Sequence, residues 1–358
     1  MDTFLSKEDS NVIKGVAVIL LLAHHLWAFP DRIPYALKSI FFFTDINLPM
    51  LIGDFGKICV SLFFFLSGYG NEVKYHDKEF SLFSKLKTLY LNYWKVFVIF
   101  IPIGFLFFSN QQPYCANVDI CTVFSNFNPI EFILNLIGWS ATYNGEWWFF
   151  RDYAIMILLF HLFKKLINKN SLLINIFFVI IFELFYVLIG TMFDADHFIT
   201  LWAIDRAPYM ICFPMGMIAA RFSLLQKAAV RIKRNSLRVI ICLAALAVCF
   251  VCKVKLGGLV EVIVAPVFII AFSILCAGLG KFRRIMTFFG KHSMNMWLIH
   301  SFFCYYYGVV SKSIVFFRWA LAALLVLIIY TTAASLAVDG FWGAVSKVSG
   351  KLICKDKS

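Results

Sequence analysis

Asn11 to Phe29 reads NVIKGVAVILLLAHHLWAF. The run is long and apolar enough to cross a bilayer core of about 30 Å as a helix. It nevertheless holds Lys14 near its start and His24 and His25 near its end. Ionisable groups at membrane depth are costly and persist chiefly where they face a cavity, a partner or a substrate path. At about 100° and 1.5 Å per residue, Lys14 and His25 share one face of this helix, roughly 16 Å apart along its axis. His24 points about 100° away from that line. The rest of the chain reads as the housing of this helix.

The composition agrees. Of 358 residues, 61% are hydrophobic and 18% aromatic, with a mean hydropathy of +0.83, whereas ordinary globular chains are about 45–50% apolar. Lipid offers the backbone no hydrogen-bond partners, so apolar runs of this length must be helical. The expectation is an all-α, polytopic membrane protein, one membrane domain over residues 1–358, with ten spans near 11–29, 51–71, 88–108, 146–164, 171–190, 203–221, 237–253, 259–279, 293–311 and 316–338. The net charge of +13 would suggest nucleic acid if it sat in one soluble domain. It lies instead in short loops, with seventeen Lys and Arg in the even-numbered loops against seven in the odd-numbered ones. By the positive-inside rule both termini are expected in the cytoplasm. The N-terminus has no basic region followed by a small-residue cleavage site, so no removable signal peptide is expected.

Most cysteines, such as Cys59, Cys212, Cys249 and Cys276, fall in apolar runs and read as packing residues. Cys115 and Cys121 share the longest exterior segment, 109–145, which also holds PIEFILNLIGW (Pro129–Trp139). That run is too short to span and reads as an interfacial or re-entrant helix. The spacing leaves a disulfide and two free thiols equally open.

Several groups are candidates for chemistry, each with a structural reading beside the functional one. Lys14 either snorkels to the headgroups or heads a substrate track. His25, or His24 in its place, is either a bonded interface group or a general base or acyl acceptor. Ser67, Gly68 and Tyr69 close the second helix level with Lys14, and Gly68 admits close approach by a helix or a ligand. Trp147 and Trp148 read as interface anchors, with Arg151 and Asp152 just deeper. These two tryptophans and Arg151 either make structural contacts or line an acceptor site, to which Asp205 and Arg206 could contribute. In FFGKHSMNMWLIH (Phe288–His300), Gly290 and Ser293 read as turn and N-cap residues, and His300 as a mid-membrane histidine, more often structural than catalytic. No P-loop, GxSxG, HExxH or Cys metal cluster is present, so neither a metal site nor a bound cofactor is expected.

Four segments in order, KGVAVILLLAHH, FFFLSGY (Phe63–Tyr69), WWFFRDY and FFGKHSMNMWLIH, resemble the acyltransferase-3 family of membrane O-acyltransferases. The first is similar to that family's R/K-x10-H signature. The resemblance implies transfer of an acyl group, usually acetyl from cytoplasmic acetyl-CoA, to a hydroxyl of a sugar or other acceptor at the outer face of a bacterial inner membrane. Such acceptors include O-antigen, exopolysaccharide and peptidoglycan, or a lipid-linked precursor. It implies His25 as catalytic residue with Lys14 as signature partner, and Ser67, Gly68 and Tyr69 on the donor side. The chain departs from the family in SKLKTLYLNYW, where lysines replace an arginine pattern and Lys85 and Lys87 serve as point charges. The rival reading is a transporter or flippase for an acyl donor or lipid-linked sugar. It accounts for the buried charges but not for the four ordered segments.

Overall fold

The computed structural model describes residues 4–38, 47–192 and 205–355. It is helical throughout: α1 (Lys7–Trp27), α2 (Leu48–Gly56), α3 (Ile58–Tyr75), α4 (Leu82–Phe107), α5 (Val118–Cys121), α6 (Pro129–Leu136), α7 (Trp148–Leu158), α8 (Phe160–Lys169), α9 (Leu172–Met192), α10 (Ala207–Met210), α11 (Cys212–Arg221), α12 (Leu224–Lys233), α13 (Arg238–Leu256), α14 (Glu261–Cys276), α15 (Gly280–Ser301), α16 (Gly308–Ile314) and α17 (Ala320–Lys355). Among the described residues no strand forms, and one isolated bridge pairs Lys38 with Trp319.

Among the described residues, six helical stretches are long and apolar enough to cross a membrane: Lys7–Trp27, Leu48–Tyr75, Leu82–Phe107, Leu172–Ile189, Arg238–Cys276 and Ala320–Val348. A seventh is the pair Ala207–Arg221 and Leu224–Lys233, bent by 68° where Ser223 takes a left-handed φ of 53°. The chain is thus a multi-pass membrane protein. Arg238–Cys276 contains two of the expected segments, α13 and α14, which pack along one another. Two other expected segments are interrupted. Residues 146–164 divide at Leu159 between α7 and α8, and 293–311 breaks after Ser301. The start of the expected 203–221 span lies outside the described residues. The nearly all-round exposure of large apolar side chains on α9, Leu173, Phe177, Phe178 and Leu184 among them, suits a lipid-facing helix.

The chain divides into two compact units, one of residues 1–21, 51–85 and 152–291, the other of 22–50, 86–151 and 292–358. In the first unit, α3 and α11 cross with reciprocal close contact. A methyl group on Gly68 would overlap the Phe213 carbonyl, and one on Gly216 would overlap that of Phe65. Small residues that let backbones approach are a common way for membrane helices to associate, since lipid is as apolar as their side chains. The same device joins α1 to α15, where Gly290 meets the Asn11 carbonyl. Gly290 and Ser293 are therefore not turn and cap residues. The helix begins at Gly280 and runs through both, because Gly290 serves packing. Lys253, counted with the loop lysines, is buried on α13 and pairs with the equally buried Glu261, which also accepts from Ser61 Oγ.

In the second unit, α6 is capped by Asn128, whose side chain accepts from the Ile130 and Glu131 amides, with Pro129 at the first helical position. It ends at Gly138, whose φ of +71° is open to glycine at little cost. As expected, α6 is short and amphipathic, with Ile130 and Ile133 exposed. Asp339 on α17 accepts from Asn295 Nδ2 at 2.9 Å and faces His292 at 3.3 Å, tying α15 to α17.

Candidate functional site

The last turn of α1 delivers His24 and His25, both 7% exposed, into the second unit. The loop after α6 supplies the facing residues. Asn144 is fully buried, and its side-chain oxygen accepts from the Glu146 amide at 3.2 Å and from Ser301 Oγ at 2.8 Å. That cap starts the 3-10 turn Gly145–Trp147. Gly145 N–H donates to Tyr306 Oη at 2.8 Å, and Trp147 Nε1 donates to the Leu298 carbonyl at 3.0 Å. Trp147 is 2% exposed, so it is not an interface anchor. It pins Glu146 in place by packing its indole against α15.

Tyr305 and Tyr306 come from a π-helical turn, Phe302–Tyr306, that ends α15. Such turns re-aim side chains and are frequent at functional sites. Tyr305 O–H donates to the His25 carbonyl, and its oxygen lies 3.3 Å from His25 Nδ1. On the other side of the ring, Nε2 lies 3.4 Å from Glu146 Oε2. Glu146 Oε1 in turn faces Arg32 Nη1 at 3.3 Å, and the Arg32 guanidinium covers the Phe29 ring at 4.1 Å. His25 thus sits with Nδ1 at a hydroxyl and Nε2 at a carboxylate. A proton gained there is stabilised by the adjacent negative charge. The arrangement suits a general base whose protonated form is held by an oriented acid.

His300 completes the group. Its ring centroid is 4.7 Å from that of His25, and it is fully buried. Nδ1 bonds the Trp297 carbonyl at 2.6 Å, while Nε2 has no hydrogen-bond partner among the described residues. An orphaned acceptor in a buried site is costly unless a ligand or water satisfies it. His300 therefore offers a lone pair to a hydroxyl beside His25. His24 packs edge-on to His25 at 4.9 Å.

The other expected residues fall elsewhere. In the first unit, Lys14 is half-buried. Lys85 Nζ donates to Asn71 Oδ1 at 3.0 Å, with Lys14 and Lys74 near enough to repel it. Ser67 Oγ and Tyr153 Oη lie 2.8 Å apart, the Cβ-less face of Gly68 is filled by α11, and Tyr69 Oη accepts from Phe4 N–H at 3.2 Å. Arg206 faces Asp152 at 4.0 Å, and Asp205 is exposed. In the second unit Lys87 is exposed and Trp148 half-buried, while Arg151 Nη1 donates to the Trp139 carbonyl at 3.2 Å. Sequence reasoning missed the roles of Glu146, Arg32 and Tyr305. Glu146 directly precedes Trp147, but no spacing connects it to His25.

A family model described as an acyltransferase domain, that of acyltransferase family 3, matches residues 8–338. No curated protein and no solved structure matches the chain.

Proposed function

The chain belongs to the acyltransferase-3 family, and from that premise we propose that it is a membrane O-acetyltransferase. It moves acetyl from cytoplasmic acetyl-CoA to a hydroxyl of a sugar in a surface polysaccharide or its lipid-linked precursor. The observation that carries this reading is His25, held at the end of an apolar helix between Glu146 and Tyr305.

In the reaction, the His25 imidazole removes the acceptor hydroxyl proton while the acceptor oxygen attacks the thioester carbonyl. Collapse of the tetrahedral intermediate expels the CoA thiolate, and the proton held on His25 passes to it, restoring the neutral imidazole. Glu146 stabilises the imidazolium that forms, and His300 Nε2 accepts a hydrogen bond from the acceptor sugar. The general-base role is favoured because the carboxylate beside Nε2 rewards protonation there.

The donor end is supported by the charge of the first unit. Lys85 donates to Asn71, with Lys14 and Lys74 near it. A cavity of about 550 Å³ is lined by Lys78, Glu79, Phe80, His161, Lys164 and Lys165. This suits the phosphates and base of a CoA, which as a polyanion is drawn to such a surface. The unbroken α1 carries Lys14 and His25 roughly 16 Å apart along its axis. Seventeen basic residues in alternate loops favour ten spans with both termini in the cytoplasm of a bacterial inner membrane.

The experiment uses membranes containing the full-length protein, supplied with acetyl-radiolabelled acetyl-CoA. Alkali-labile label appears in glycan or glycolipid, and is lost in His25→Ala at equal expression. Label transfer undiminished by that change overturns the catalytic role. A transporter of the same donor needs no imidazole at this position.

A further inference from the structure

The mechanism leaves unused a pair of thiols beside the site. Cys115 and Cys121 have sulfurs 3.2 Å apart, closer than two sulfurs rest in ordinary contact, and a small side-chain rotation from the roughly 2.05 Å of a disulfide bond. Both sulfurs lean on one acceptor, the Asn117 carbonyl, at 3.3 and 3.5 Å. Cys121 is buried and Cys115 half-buried. The other cysteines described lie within long apolar segments.

The backbone around the pair is bound to the catalytic group within the same unit. Gln111 Nε2 donates to the Cys121 carbonyl at 2.8 Å and to the Tyr306 carbonyl at 2.9 Å. Gln111 Oε1 accepts from Gly308 N–H at 3.1 Å. Tyr114 O–H donates to the Tyr305 carbonyl. Asn117 N–H donates to the Asp31 carbonyl at 3.0 Å, next to Arg32. The loop thus grips both tyrosines of the π-helical turn, one holding His25 and the other holding the Glu146 turn.

We propose that Cys115 and Cys121 form a disulfide in the folded protein, and that it clamps this loop onto Tyr305 and Tyr306 so as to hold the His25–Glu146 geometry. The inference rests on the exterior reading of segment 109–145 given above, since disulfides persist on the oxidising side of a membrane. Two S–H bonds break and one S–S bond forms. The two protons and two electrons pass to an exchangeable disulfide on that side, either a disulfide-exchange protein or an oxidised small thiol, which leaves as two thiols. Burial and the neighbouring sulfur push the Cys115 thiol up to about 12. Cys115 therefore carries little thiolate in the fold, so the bond is made as the loop folds and a reduced pair re-forms slowly.

The test is performed on the purified full-length protein, alkylated under denaturing conditions before or after reduction and then digested. The peptides with Cys115 and Cys121 are expected unlabelled and linked before reduction and doubly labelled after it, the remaining cysteines labelling either way. Alkylation of both before reduction overturns the bond. Reductant is expected to lower the thermal midpoint and to slow acetyl transfer roughly three- to tenfold, and to change neither in Cys115→Ser/Cys121→Ser. An unchanged midpoint in wild type whose bond has demonstrably opened overturns the clamp. Labelling and midpoint require no catalysis, so failure of the acetyltransferase reading is seen separately, as absent transfer in every form.

Discussion

Replacing Glu146 with glutamine removes one negative charge from beside His25 while keeping the side chain's shape. The carboxylate oxygen lies 3.4 Å from Nε2, and both groups are about one-tenth exposed. At an effective dielectric near 20, a full charge pair at that distance is worth about 5 kcal/mol. The amide dipole of glutamine recovers part of this, and Arg32, 3.3 Å from the other oxygen, is left to repel the imidazolium. A net loss of about 2–4 kcal/mol from the transition state predicts a fall of roughly 30- to 900-fold in kcat/KM. The assay is acetyl transfer at varied acetyl-CoA, alongside size-exclusion chromatography to establish equal folding. The loss should fall on kcat, with KM for acetyl-CoA little changed, because Glu146 belongs to the unit that holds the base. Glu146→Gln activity within threefold of wild type would refute the reasoning.

Two further outcomes follow from the same geometry. Tyr305→Phe removes the hydroxyl that donates to the His25 carbonyl and lies 3.3 Å from Nδ1; a lost hydrogen bond of about 1–1.5 kcal/mol predicts roughly tenfold slower transfer, read in the same assay. Lys253→Met strands the buried Glu261 carboxylate and is expected to cost about 3–5 kcal/mol of stability. Adding Glu261→Gln should restore most of it, as measured by thermal midpoints in detergent.

Apolar run length was most legible where a helix is uninterrupted. The expected 11–29, 88–108 and 171–190 correspond to α1, α4 and α9, and 237–253 and 259–279 to α13 and α14, each within a few residues. It failed where tertiary contacts override local signals. Gly290 and Ser293 look like a helix start in isolation, yet Gly290 sits inside α15 because the α1 backbone needs its missing side chain. The break after Ser301 leaves no mark in FFCYY, whose Tyr305 and Tyr306 hydroxyls find partners distant in sequence, His25 and Gly145. His25 stood out because an imidazole in an apolar run demands a reason. Its partners did not. Arg32, Glu146 and Tyr305 are scattered over 274 positions of the sequence, and only folding brings them to one ring. Trp147 shows the converse, a residue that looked like an interface anchor and is buried against α15.

The central proposal is that His25, as general base, promotes acetyl transfer to a surface glycan. Its most direct measurement is the O-acetyl signal in the proton NMR spectrum of surface polysaccharide purified from cells with the intact gene, a deletion and His25→Ala. The account predicts a signal in the first and none in the other two, with the His25→Ala protein present in the membrane at its normal level. An undiminished O-acetyl signal in His25→Ala beside a lost signal in the deletion would contradict it.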